Sequence, residues 1–366
     1  MPRSKPARAD ILALAAQLRA RFEAAGARPV ETPILQPADT LLDLYGEEIR
    51  ARAYTATDAL RGEQMMRPDF TVPVVQMHMS QGAEPARYTY AGEVFRRQEH
   101  DPDRANEYIQ VGYEVFDRTD PAQADAEVFS LIAQALDGLP ARPATGDIGI
   151  LKAAVQGLHT TRARKDMLLR HIWRPRRFRT LLDRYAAAAR PAPARAALFD
   201  AADPFVGAGA EIGLRSRAEI VHRLRELRDE AETPPMSAHE LAGIDALLAV
   251  RETAPFALQQ LRDIAVDLPA ITPALDGLES RLTALAGRGI DVDDLEFEAS
   301  YGRTSMEYYD GFVFGFSVLG RPDLPPVATG GRYDALTRQL GQGAEIPAVG
   351  AVLRPGLMLE LREAAR

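Results

Sequence analysis

The stretch 87–117, RYTYAGEVFRRQEHDPDRANEYIQVGYEVFD, constrains the fold more than any other part of the chain. Two runs rich in β-branched and aromatic residues, 88–96 and 108–116, flank a charged connection, which predicts a long antiparallel hairpin. Side chains alternate along a strand. Ile109, Val111, Tyr113 and Val115 therefore share one face, and Tyr108, Gln110, Gly112, Glu114 and Phe116 share the other. Such alternation is the ordinary solvent face of an antiparallel sheet. An acceptor-rich face interrupted by a glycine is also a floor for a small cationic ligand.

Ahead of the hairpin, Asp10 is placed to cap a helix in which Ile11, Leu14, Leu18 and Phe22 recur at three- and four-residue spacing, and Gly26 to end it. RPVETPILQP follows as an extended piece. Its Pro33 has no N–H for a ladder, which predicts an edge or irregularly paired strand, serving either ordinary packing or an oligomer seam. Loop and short helix fill 41–60. Met65 and Met66 end a short strand, the chain turns at Arg67, Pro68 and Asp69, and a helix begins near Thr71. A carboxylate and a hydroxyl at a helix start are ordinarily capping groups. Beyond the hairpin, an amphipathic helix is expected over 125–136 and a short strand over 147–150.

From 151 to 289 strand signal is scarce, and alanine, arginine and leucine dominate. Ser216 with Glu219, and Ser237 with Glu240, have the spacing of capping boxes. The basic run TRARKDMLLRHIWRPRRFRTLLDR reads as a solvated helix face with local ion pairs or as a dock for an acidic partner. Strands return at 295–299 and in SMEYYDGFVFGFSV. There Tyr309, Gly311, Val313, Gly315 and Ser317 share a face, and its two glycines leave room for a ligand or a neighbouring backbone. Gly330 and Gly331 end a further strand before a helix over 333–340, and a last strand and helix close the sequence.

The order is therefore β-rich, helical, β-rich. It predicts an α+β architecture, with one domain from 1–150 and 290–366 and a helical insertion over 151–289. With no cysteine, disulfides, thiolate metal sites and cysteine nucleophiles are excluded, and a reducing cytoplasm is the expected location. No apolar run approaches the ~18 residues of a membrane span. A net charge of −8 argues against a nucleic-acid partner. There is no GxSxG, HExxH or DxDxDG sequence and the six histidines are scattered, so no metal or cofactor is expected.

Taken in order, these segments resemble the catalytic core of histidyl-tRNA synthetase, a class II synthetase. VETPILQP is similar to motif 1, whose strand builds the class II dimer. RPDFT resembles the family's arginine-proline-glutamate-glycine-threonine turn, and FRR with YIQVGYEVF resembles motif 2. MEYYDGFVF is similar to the histidine-specific Tyr-Tyr strand, TGGRYDAL to the glycine-rich strand before motif 3, and PAVGAVL to the start of motif 3. The resemblance implies a class II antiparallel sheet flanked by helices and a pocket for free histidine. Asp69, Thr71 and Gln110 would hold the α-ammonium, and Glu114 and Tyr309 the two imidazole nitrogens. Asp69 stands where the family has glutamate.

The departures from the synthetase pattern bear on function. Arg96 stands where the motif 2 arginine binds the α-phosphate. The family's catalytic arginine aligns with Thr304, with Arg303 one residue out of register. The nucleotide-binding arginine of motif 3 aligns with Leu357, and Arg354 is likewise out of register. The sequence ends at Arg366, where a synthetase would continue into an anticodon-binding domain of ~100 residues. A histidine pocket without these groups is similar to the regulatory subunits of short-form ATP phosphoribosyltransferase. That resemblance implies a chain that is not itself catalytic. It would pair with a short catalytic subunit in a hetero-octamer, form a homodimer through the class II interface, and transmit feedback by histidine on the first step of histidine biosynthesis. Two other readings stay open at this point. One is a synthetase-like enzyme activating an amino acid with ATP, motivated by Arg96 and Arg354. The other is a tRNA-binding adaptor using the basic insertion, whose binding would depend steeply on salt.

Overall fold

The structure is a computed structural model describing residues 6–45, 47, 49–98, 104–188, 191–209, 212–303 and 308–364. Among these residues nine strands form one sheet in the order Arg28–Pro29, Ala86–Phe95, Glu107–Phe116, Ala348–Leu353, Ala328–Arg332, Phe312–Val318, Ala141–Asp147, Glu296–Glu298 and Arg251–Thr253. The predicted hairpin is its longest pairing, antiparallel from Ala86 opposite Phe116 to Phe95 opposite Glu107. The strand Arg28–Pro29 and the strand Glu296–Glu298 each pair in parallel with a neighbour. The centre of the sheet thus joins strands from the two ends of the chain.

One face of the sheet is covered by helices. Asp120 caps Pro121–Ala135 by accepting from Gln123 N at 3.1 Å, with Pro121 at the first helical position. Phe129 of this helix packs against Phe312, Phe314 and Phe316, with ring centroids 5.1–6.2 Å away. Helix Arg8–Ala24 brings Phe22 to 5.3 Å from Tyr113, on the hairpin face the alternation predicted. Helix Thr272–Gly287 packs on Pro121–Ala135. Its buried Arg281 donates to Asp125 and to Asp147, both at 2.8 Å, and Arg332 completes the cluster at 2.7 Å from Asp125.

Several local expectations shift. The first helix begins at Arg8, so Asp10 lies in its first turn rather than capping it, while Gly26 follows the helix with φ of +98°. Pro33 falls between Arg28–Pro29 and Leu35–Pro37. The latter strand pairs with Gly62–Met66 in a separate three-stranded sheet with Thr55–Asp58. The strand expected over 147–150 is Ala141–Asp147, and Asp147 caps the following helix Ile148–Gly157 through Gly149 N at 2.8 Å. The stretch 151–289 is mostly helical, with both capping boxes formed, but Arg251–Thr253 joins the edge of the large sheet. Within its basic run, Arg164 is buried on Glu230 and the Pro234 carbonyl, and Arg179 pairs with Asp183 and Asp245. No helix among the described residues is long and apolar enough to cross a membrane.

Candidate functional site

On the sheet face opposite Phe129, register places a row of small residues beside one carboxylate. Glu114 lies opposite Gly350, Gly350 opposite Gly331, Gly331 opposite Val313, and Val313 opposite Gly146. A Cβ at Gly350 would come within 1.4 Å of the Glu114 carboxylate, one at Gly331 within 2.7 Å of the Tyr309 ring, and one at Gly146 within 2.7 Å of Tyr301. One strand pairing away, a Cβ at Gly112 would come within 2.1 Å of the Tyr90 ring. The glycines allow a carboxylate and three tyrosines to lie flat on the sheet. The floor beside Gly112 is therefore taken by Tyr90, and the space beside Gly315 by the Tyr301 hydroxyl.

Glu114 is fully buried at the centre of this face. Tyr90 donates to its Oε1 at 2.7 Å, Tyr333 to its Oε2 at 2.5 Å, and Thr71 to its Oε1 at 3.3 Å. Burial pushes the carboxyl up to about 7, and Asp69 adds to the rise; the three hydroxyls oppose it by bonding the charged form. Tyr90 stacks on Phe70 with centroids 4.2 Å apart, and Phe70 in turn lies under the Arg67 guanidinium. Burial also holds the Tyr309 phenol well above its ordinary value, with Glu114 and Asp69 adding to the effect.

The structure brings Asp69, Thr71, Glu114 and Tyr309 together. Asp69 Oδ1 accepts from Val72 N at 3.4 Å, as a helix-start carboxylate does, but Thr71 uses its hydroxyl on Glu114 rather than on the helix Thr71–Gln81 that it begins. Gln110 lies four residues before Glu114 on the same strand face and is fully buried. Neither Nε2 nor Oε1 of its amide has a partner among the described residues. Unpaired buried amides are costly, which makes Gln110 a group awaiting a ligand or a water.

The arginines are arranged differently from an activating site. Arg303 is buried, donates to the Ile172 carbonyl at 2.8 Å and lies 4.8 Å over Phe178, so it faces the inserted helices. Burial pushes it down to about 10. Arg354 donates to the Pro326 carbonyl and lies 5.9 Å over Tyr108. Arg96 donates to the Pro68 carbonyl at 2.7 Å and feels Tyr309. Leu357 sits on helix Pro355–Ala364, partly buried against the core. Thr304 lies outside the described residues. No group of three metal-ligating side chains occurs among the described residues.

Sequence reasoning missed Tyr90 and Tyr333, which donate one to each oxygen of Glu114, and Gly350, which makes room for it. The residue types were visible, but only pairing register sets Gly350 against Glu114 and Tyr90 against Gly112.

The architecture and this site define a histidyl-tRNA synthetase-like protein of class II fold. The histidyl-tRNA synthetase family profile matches residues 4–230 and 217–356. A solved ATP phosphoribosyltransferase regulatory subunit/histidyl-tRNA synthetase from Bacillus halodurans superposes with a TM-score of 0.67 at 21% identity, covering 98% of this chain and 81% of that one. A histidyl-tRNA synthetase from Nostoc gives 0.65 at 18% identity, covering 100% and 74%. Within that class, an ATP phosphoribosyltransferase regulatory subunit from Brucella anthropi is 32% identical over 361 residues, 91% of this chain and 93% of its own. One from Agrobacterium fabrum is 33% identical over 367 residues, 93% and 94%. The chain belongs to the family of ATP phosphoribosyltransferase regulatory subunits.

Proposed function

We propose that this chain is the regulatory subunit of a short-form ATP phosphoribosyltransferase and has no catalysis of its own. It acts in the cytoplasm on the first step of histidine biosynthesis. There it joins a short catalytic subunit that couples ATP to phosphoribosyl pyrophosphate, in a hetero-octamer built on homodimers of this chain. It raises the activity of that subunit and makes it sensitive to histidine.

The observation that carries this reading is the separation of recognition from activation. Glu114, Asp69 and Gln110 are acceptors gathered on one buried floor, while Arg303 is turned onto Ile172 and Phe178 and Leu357 is apolar. Two buried carboxylates favour a cationic ligand, since a charge out of water needs a partner. Histidine would offer its ammonium to Asp69, Thr71 and Gln110, and its imidazole to Glu114 and Tyr309. An analogue without ring nitrogens would leave Glu114 and Tyr309 unmatched, which supplies discrimination. Activation of a nucleotide needs fixed positive groups on its phosphates and on the substrate carboxylate; Arg96 keeps one such position, and Thr304 and Leu357 stand at two that have lost theirs. Histidine then regulates by binding two states of the assembly with different affinity, for which a coupling of ~1–3 kcal/mol suffices.

The test is reconstitution. Adding the purified chain to a short catalytic subunit is expected to raise phosphoribosyl transfer and to confer inhibition by histidine. Unchanged rate and unchanged histidine sensitivity in a co-purifying complex would overturn the reading.

A further inference from the structure

A cavity of about 210 Å³ lies where the inserted helices meet the core, lined by Leu44, Lys152, Leu169, Trp173, Tyr308 and Asp310 among others. Tyr308 is the wall it shares with the Glu114 site, since its hydroxyl reaches Thr71 at 3.4 Å. The charged groups are one of each sign. Lys152 on helix Ile148–Gly157 is 3.3 Å from Asp310 Oδ2, which also accepts from Ala335 N at 3.0 Å. A carboxylate and an ammonium side by side in one wall offer a partner to each end of a zwitterion. The remaining wall is mostly apolar, with Leu44, Leu169, Ile172, Leu336 and the indole of Trp173 beside the amide of Gln339. The volume is below the ~300–1,000 Å³ of drug-sized sites and too small for a nucleotide.

We propose that this cavity binds a free α-amino acid with an apolar or aromatic side chain, its ammonium on Asp310, its carboxylate on Lys152 and its side chain against Trp173. The zwitterion enters between Lys152 and Asp310, so one ion pair is exchanged for two. Lys152, Leu169 and Trp173 fall within 151–289 and Leu44 and Asp310 outside it, so an occupant touches both parts of the chain. The inference stands apart from the regulatory role proposed above, because it uses none of the residues of the Glu114 floor.

Trp173 is the only tryptophan in the sequence, so tryptophan-selective fluorescence of the full-length chain reports on the surroundings of this cavity wall. Leucine, methionine and phenylalanine are titrated against phenethylamine and 3-phenylpropionate, which carry one charge each, with calorimetry as a second readout. At least one amino acid is expected to give a saturable change and a rise in Tm, with both one-ended analogues binding at least tenfold more weakly. Asp310→Asn and Lys152→Met are each expected to weaken binding tenfold or more, and Glu114→Gln to leave it unchanged. Absence of binding by every amino acid to the folded wild type overturns the proposal. So does equal binding of the amine or the acid. A signal lost in Glu114→Gln but kept in Lys152→Met would place the ligand on the Glu114 floor and would also overturn it.

Discussion

At the residue scale, the chemistry of the site rests on one carboxyl group kept out of water. Burial raises Glu114 to about 7 from an ordinary value near 4.5. The folded protein therefore holds this proton more tightly than the unfolded chain does. The stability it contributes is present in full below pH ~4.5 and is lost as pH rises through about 7. Glu114→Gln keeps a group that Tyr90 and Tyr333 can bond but cannot ionise. Denaturant titrations from pH 4.5 to 8 are expected to show wild type losing stability relative to the variant, by at most ~3 kcal/mol. A difference independent of pH would mean that Glu114 titrates normally. Glu114→Ala is expected to weaken histidine binding several-fold or more by calorimetry, through loss of a charge-assisted contact. Gly350→Ala acts on the same point by steric means. Its methyl would come within 1.4 Å of Glu114 Oε2 between two strands held by ladder hydrogen bonds. Overpacking of this kind costs ~1–3 kcal/mol, and histidine binding is expected to fall with it.

At the element scale, four elements from three distant parts of the chain are locked by a buried charge cluster. Arg281 on Thr272–Gly287 bonds Asp125 on Pro121–Ala135 and Asp147 at the end of Ala141–Asp147, and Arg332 bonds Asp125 from the Ala328–Arg332 strand. All four side chains are at most 9% exposed. Replacing one partner of such a cluster leaves uncompensated charge in the interior, so Arg281→Met is expected to cost ~3–5 kcal/mol in urea unfolding. The capping box of Arg217–Glu232 is the opposite case, because no residue of that helix is buried. Ser216→Ala is expected to cost ~1 kcal/mol locally. It should speed amide exchange in the first turn of that helix while leaving the midpoint of global unfolding unchanged, because the bond from buried Arg164 is made to Glu230 at the helix's other end. The hairpin, the two capping boxes and the body of the helix Pro121–Ala135 were legible in sequence because their signals are local: alternation, a serine three residues before a glutamate, an amphipathic run from Asp125, although the Asp120 cap lies five residues ahead of the expected start. The place of Arg251–Thr253 at the sheet edge was not legible, since three residues carry no periodicity of their own.

At the scale of the whole molecule, a synthetase-like fold is joined to a floor of acceptors from which Arg303 is turned away. The expected consequence is binding without activation: histidine-dependent exchange of pyrophosphate into ATP should be absent from the purified chain, and its appearance would favour an enzyme. The sequence alone determined the hairpin and its two faces, the β-rich, helical, β-rich order, and the residue types now gathered around Glu114. Each is written in near neighbours, where alternation and capping act directly. Tertiary structure alone decided that Gly350 yields its space to Glu114, that Tyr90 and Tyr333 cap both carboxylate oxygens, and that Asp310 meets Lys152 at the seam with the insertion. Those outcomes depend on strand register, inside the hairpin for Tyr90 and between segments more than a hundred residues apart for the others, and no local pattern of side chains encodes them.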